Sequence, residues 1–377
     1  MRIGIDVRWI FRQLSGIGTY TRELIRYLAM VDRQNEYILF FDRPAALEEV
    51  RGFANLEKAP NFDITLLAHG PFSPWSQIVL PSQFTRMGLD VFHSPNYMIP
   101  FLAFPRKRAG DTLCVVTIHD LIPLSFPHYA PRSKKTRLFP LYRLLMLEVG
   151  RRADMIITGS SSARSDILRE LRIPDPSTVV VIPDGVDARF TPSATPKADT
   201  RTILYVGRLD PYKNVPALVE AFSKARQTAA PEARLRIAGP KDDRYPEASR
   251  LAEKLGVGPF VEWAGYLPLC ELVEAYQQAA VFVLPSHYEG FGLPVLEAMA
   301  CGTPVICSNA ASLPDVVGDA ALLVSPDDTD GLAEAIVRVL TDKALASTMR
   351  EKGLRRAAQF SWRRTAELTL EAYRSLK

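Results

Sequence analysis

Cysteine is scarce in this 377-residue sequence: Cys114, Cys270, Cys301 and Cys307 are scattered. No Cys-x-x-Cys or Cys/His cluster has metal-site spacing, which leaves buried free thiols in a reducing compartment as the expectation. Long apolar runs are missing too, so no segment reads as a membrane span. The opening Met1-Arg-Ile-Gly-Ile-Asp-Val-Arg8 alternates like a strand and lacks the apolar core and cleavage site of a signal peptide, which makes the expected location cytoplasmic. Neither charge sign dominates, with 46 Lys and Arg against 42 Asp and Glu. No recognised nucleic-acid module or basic platform interleaved with aromatics is found, so a nucleic-acid partner is not expected.

Two other patterns are incomplete. Ser15-Gly-Ile-Gly-Thr-Tyr20 supplies Gly16 and Gly18, but Thr21 stands where a dinucleotide fingerprint has its third glycine, which disfavours nicotinamide or flavin cofactors. The two glycines still let backbone approach a phosphate or sugar closely; a plain tight turn is the competing reading. The Asp-x-Asp pair considered as a metal motif, Asp328-Thr-Asp330, begins a helix, where capping and the dipole explain acidic residues. No metal is expected.

What is present is a βα alternation repeated twice. The first series of strands is expected at Ile3–Val7, Tyr37–Phe41, Ile64–Leu67, Val91–His93, Val115–His119, Met155–Thr158 and Val179–Ile182, with helices including Thr19–Leu28 and Lys134–Val149. The small, polar, proline-rich run Phe190–Asp199 reads as a linker. The second series is expected at Ile203–Val206, Leu235–Ala238, Phe260–Trp263, Val281–Leu284, Val305–Cys307 and Ala321–Val324. Alternation of this kind implies parallel sheets covered on both faces, with ligands at the carboxyl ends of the strands. The length also suits two domains.

The most informative stretch runs from His287 to Ile306. Glu289 lies on a loop leaving a strand; Glu297 lies about a turn into the following helix, which Pro294 helps to start. Between them the amides of Gly292, Leu293 and Val295 are expected to point at an anion above the helix N-terminus. Carboxylates on either side of an anion site suit hydroxyl-rich groups flanking a diphosphate, which describes a nucleotide-sugar. Arg208 and Lys213, in Tyr205-Val-Gly-Arg-Leu-Asp-Pro-Tyr-Lys-Asn214, can converge on one anion, the first as a fork and the second as a point charge. Thr117-Ile-His-Asp-Leu-Ile-Pro-Leu124 brings His119 and Asp120 to a strand end, and His93 in Phe92-His-Ser-Pro95 is a candidate of the same kind.

Glu289-Gly-Phe-Gly-Leu-Pro-Val-Leu-Glu-Ala-Met-Ala-Cys-Gly-Thr-Pro-Val305 resembles the signature of the family-4 retaining glycosyltransferases. The resemblance implies the GT-B fold: an α/β chain of two Rossmann-like domains facing a central cleft, with a last helix crossing back. The domains implied are 1–190 for the acceptor, a linker at 191–200, 201–360 for the nucleotide-sugar, and the returning helix at 361–377. By the same resemblance Glu289 contacts hydroxyls of the donor sugar, Glu297 holds the ribose, and Arg208 and Lys213 hold the diphosphate. Gly290, Phe291, Gly292, Leu293, Val295, Gly16, Gly18 and Gly239 line the donor, Tyr266 and Leu267 lie at the nucleobase, and His119 stands near the sugar, with Asp120 and His93 on the acceptor side. No cofactor is implied beyond the donor as co-substrate.

The first-domain loops look like those of bacterial surface-polysaccharide mannosyltransferases, which favours GDP-mannose as donor and a glycan or lipid-linked acceptor. UDP-sugar transferases of the same fold stay open, as do a GT-B-like epimerase or phosphorylase and a non-catalytic sugar-binding protein. Residues 101–152 carry ten Lys and Arg against three Asp and Glu beside an apolar helical run. That suits an anionic membrane surface, or equally a solvated basic face beside a buried helix.

Overall fold

The computed structural model describes residues 1–11, 16–106, 112–129, 138–194 and 201–376. Ser15 of the glycine loop, Lys107 and Arg108, the basic run from Arg132 to Arg137, and residues 195–200 of the expected linker lie outside the described residues. The chain divides into two compact units. The first comprises Met1–Ser125, Leu138–Gly185 and Trp362–Lys377; the second comprises Phe126–Arg137 and Val186–Ser361.

The sheet of the first unit has seven strands: β1 (Arg2–Asp6), β2 (Glu36–Phe41), β3 (Phe62–Leu66), β4 (Val91–Ser94), β5 (Leu113–Thr117), β6 (Met155–Thr158) and β7 (Val179–Val181). Their order is β3-β2-β1-β4-β5-β6-β7, and every pairing is parallel. The second unit repeats the plan with β8 (Thr202–Val206), β9 (Arg234–Ala238), β10 (Val261–Gly265), β11 (Val281–Leu284), β12 (Val305–Ser308) and β13 (Ala321–Val324). Their order is β10-β9-β8-β11-β12-β13, again parallel throughout. Parallel strands need covered crossovers, so central strands are apolar on both faces. All four residues of β11, Val281, Phe282, Val283 and Leu284, are fully buried.

Strand order reverses once in each sheet, between β1 and β4 and between β8 and β11. Connections there leave in opposite directions and open a crevice at the carboxyl ends, where doubly wound sheets take ligands. The loop after β8 carries Arg208 and Lys213; the loop after β11 carries Glu289.

Strand β5 ends at Thr117, so His119 and Asp120 sit on the loop beyond it rather than on the strand. The first unit closes at Gly185, ahead of the expected boundary at 190. Phe190 is already packed in the second core, with its ring 5.8 Å from that of Tyr276. The helix Trp362–Ser375 belongs to the first unit, where Trp362 meets the ring of Tyr20 at 5.9 Å. Of the cysteines, Cys114, Cys301 and Cys307 are buried as expected, whereas Cys270 is exposed.

Candidate active site

In the second unit the loops after β8, β9 and β10 are tied backbone to backbone. Gly207 donates its N–H to the Ala238 carbonyl at 2.9 Å, and Gly239 donates to Gly265 at 2.7 Å. A Cβ on Gly239 would stand 1.8 Å from the Gly207 carbonyl oxygen. Glycine at 239 therefore serves a close approach of two backbones, and its amide is used within the ladder. Asn214, in the left-handed region at φ 55°, reaches from the loop after β8 to the Pro326 carbonyl at 2.7 Å.

On this frame Lys213 Nζ donates to both oxygens of Glu289, at 2.7 and 2.8 Å. The pair is deeply set, with Lys213 9% and Glu289 7% exposed. Burial alone would lower the Lys213 ammonium; the Glu289 charge overrides it and holds the group above its usual value. Ser286 donates its hydroxyl to Glu289 Oε1 at 2.6 Å, and Ser312 Oγ donates to the backbone carbonyls of Glu289 and Phe291 at 2.9 and 2.8 Å. The loop bearing the carboxylate is thus clamped from both sides. Arg208 is more open, 57% exposed at its side chain, and its Nε donates to Asp210 Oδ2 at 2.6 Å.

Gly292 ends the loop at φ 108°, a left-handed conformation suited to glycine, and caps the helix Leu293–Ala300. Glu297, the partner of Glu289 in the sequence motif, accepts a hydrogen bond from Tyr276 Oη at 2.8 Å. Burial pushes the Glu297 carboxyl up to about 7, against the pull of that hydroxyl and with a further push from Asp187. A carboxyl pushed up to about 7 beside a hydroxyl donor can exchange a proton when a ligand hydroxyl arrives.

In the first unit His119 Nε2 lies 3.2 Å from the Pro95 carbonyl, and its ring meets Tyr20 edge-on at 4.8 Å. Burial lowers its pKa, opposed by Asp120 and the Pro95 carbonyl. Asp120 Oδ1 accepts from the Ile122 amide at 3.2 Å and so starts the short helix Ile122–Ser125. Gly16 and Gly18 fall in the first turn of the helix Gly16–Val31.

Residues 187–356 match a family model described as "Glycosyl transferases group 1", and residues 14–190 match one described as "Glycosyltransferase Family 4". The chain is 30% identical to O-antigen chain mannosyltransferase B of Escherichia coli over 382 residues, covering 96% of this chain and 97% of that protein. This chain belongs to glycosyltransferase family 4. It is also 34% identical to a D-inositol 3-phosphate glycosyltransferase of Kineococcus radiotolerans, with 96% and 90% covered. Sucrose-phosphate synthase from Thermosynechococcus elongatus superposes with a TM-score of 0.78 at 25% identity, covering 100% of this chain and 98% of that one. The two parallel-sheet units are those of the GT-B fold.

Several site residues of this glycosyltransferase differ from expectation. His93 is fully buried, with Nδ1 2.6 Å from Tyr373 Oη and Nε2 2.8 Å from Thr117 Oγ1. Both ring nitrogens are occupied, so it is an interior packing group and not an acceptor-side ligand. The Val295 amide donates to the Gly292 carbonyl at 3.1 Å within the first helical turn and is not free for an anion. The Phe291 ring packs in the second core, 5.9 Å from Phe360. Leu267 is likewise a core residue, whereas Tyr266 beside it is 52% exposed. Asp328 caps the helix Thr329–Thr341 through the Gly331 amide, and Asp330 pairs with Lys224 at 2.7 Å. Asp210 and Arg244 escaped the sequence reading. The signal for them was a carboxylate two residues from an arginine in each loop, Arg208 with Asp210 and Asp242 with Arg244.

Proposed function

We propose that this glycosyltransferase moves a hexose, mannose from GDP-mannose being the leading candidate, onto a hydroxyl of a glycan or lipid-linked acceptor in surface-polysaccharide synthesis. The observation that carries this reading is the meeting of Lys213, Glu289 and Ser286 at the β8/β11 reversal, with Arg208 on the same loop as Lys213. A carboxylate held rigidly beside a cation suits a ligand whose sugar hydroxyls adjoin its phosphates. The mannosyltransferase similarity adds weight to mannose.

The second unit holds the donor and the first unit receives the acceptor in this reading. Glu289 orients the sugar hydroxyls and Glu297 takes the ribose. The acceptor oxygen forms its bond to the anomeric carbon on the face from which the diphosphate departs, giving retention. The departing diphosphate oxygen takes the acceptor proton, and Arg208 and Lys213 stabilise its charge without a divalent cation. His119, kept neutral by burial, offers a hydrogen bond near the reacting sugar. Peripheral membrane binding is a further element: Leu138, Leu141 and Leu144 are exposed along and just before the helix Phe139–Arg152, beside Arg143 and Arg151.

A panel of GDP- and UDP-sugars tests the donor, scored by binding and by slow release of nucleoside diphosphate. Expected are binding of GDP-mannose above the rest, product of retained configuration by NMR, and activity unchanged by EDTA. Failure to bind any nucleotide-sugar at millimolar concentration overturns the transferase reading.

A further inference from the structure

We propose that Arg244, on the loop after β9, is a second cation for the donor diphosphate and acts together with Arg208. This rests on the nucleotide-sugar donor proposed above. Arg208, Leu209, Pro240, Lys241, Asp242 and Arg244 line a cavity of about 270 Å³. Two guanidinium groups face that one space, and each is braced by its own carboxylate. Asp210 accepts from Arg208 Nε at 2.6 Å; Asp242 accepts from Arg244 Nε at 2.8 Å and from Nη2 at 2.6 Å.

A guanidinium has five N–H donors. Among the described residues Arg208 gives only its Nε–H to protein, which leaves both of its terminal nitrogens for a ligand. Arg244 gives Nε and one N–H of Nη2, so Nη1 remains whole. The carboxylates fix where the forks sit while leaving their outer edges to an incoming anion, the geometry that bidentate phosphate recognition requires. Arg244, and Arg208 behind it, hold the Asp242 carboxyl below the usual range, so the two cations work in one field.

The loop is also fixed in place. The Gly207 amide on the Ala238 carbonyl, and the missing Cβ of Gly239 against Gly207, lock the start of this loop beside the one carrying Arg208. Lys213, by contrast, is tied to both oxygens of Glu289 and is almost wholly buried. In the ligand-free chain the guanidinium that shares a cavity with Arg208 is therefore that of Arg244, whereas Lys213 is not among the lining residues. Lys241 also lines the cavity, but it is highly exposed and paired with the equally exposed Asp243 at 3.2 Å, so it adds attraction without fixed geometry.

The test compares binding of GDP, GMP, UDP, UMP and the free nucleosides by calorimetry, in wild type, Arg244→Gln and Arg244→Lys. A charge-assisted contact to the diphosphate predicts a loss on the order of 10-fold or more for the favoured nucleoside diphosphate in Arg244→Gln. The monophosphate and nucleoside should change far less, and Arg244→Lys should recover part of the loss. Thermal denaturation controls for folding, and Arg244→Lys, which keeps the charge beside Asp242, carries the test if the glutamine variant is unstable. Equal losses for mono- and diphosphates, or none, overturn the role of Arg244. Wild type that binds no nucleoside diphosphate overturns the donor reading itself, which separates the two failures.

Discussion

Lys213 and Glu289 form a buried ion pair in which one ammonium nitrogen serves both carboxylate oxygens, across 76 positions of sequence. The carboxylate that the motif assigns to the sugar is therefore held by the lysine that the motif assigns to the phosphate. A donor entering here must share or displace that contact.

Removing one partner strands a buried charge, which costs more than the pair contributes. Lys213→Met should destabilise the protein by about 3 kcal/mol in urea denaturation. Adding Glu289→Gln to Lys213→Met should restore a measurable part of that loss. Strictly additive losses would show that the two side chains do not act as a pair.

Glu297 gives a pH dependence with a definite sign. Its carboxyl titrates near 7 in the ligand-free protein because burial disfavours the charge. Ribose hydroxyls donating to it favour the ionised form, so donor binding should strengthen as pH rises toward 7, level off above it, and release protons below about 7. Calorimetry in buffers of different ionisation enthalpy reads that release directly, and Glu297→Gln should abolish it. Proton uptake on binding would exclude Glu297 as the ribose acceptor.

His93 affects stability rather than chemistry. Burial lowers its pKa to about 3, with a further push from His119. The unfolded chain binds a proton below about 6.5 and the folded site does not, so this residue takes away stability as pH falls from 6.5 toward 3. His93→Gln should flatten that part of the acid denaturation curve. Tyr373→Phe removes the partner of Nδ1 and should cost roughly 1–3 kcal/mol, with the donor KM unchanged.

Gly239→Ala places a methyl carbon against the Gly207 carbonyl oxygen, with no side chain that can move aside. The loops after β8 and β9 must separate. A loss of at least roughly 2 kcal/mol should appear with a raised Kd for nucleoside diphosphate. A variant with native stability and affinity would mean that the backbones do not touch.

Much of this was legible because it is local. Parallel βα units write each strand as a short apolar run, so β6, β11 and β13 begin and end at the residues expected, and the other strands differ by one or two positions at one or both ends. Glu289 and Gly292 stood out because a turn, a cap and a helix start lie in consecutive residues. Most of the misreadings were matters of distant partners. His93 looked like a ligand because its occupant, Tyr373, lies 280 residues away. Phe291 is placed by the resemblance along the donor, yet its ring serves a core completed by Phe360. The Val295 amide is a local miss: a cap at Gly292 lets the first turn close on it, which leaves fewer free donors than a proline start implies.

The place of Trp362–Ser375 in the first unit has a consequence for how the chain is made. Tyr373 and Trp362 complete a core begun by His93 and Tyr20. On the ribosome, the half of the polypeptide synthesised first must wait with an open flank until its last helix emerges. The strands from Thr202 to Val324 all precede that helix in synthesis and can assemble earlier. The order of translation and the order of completion run opposite ways.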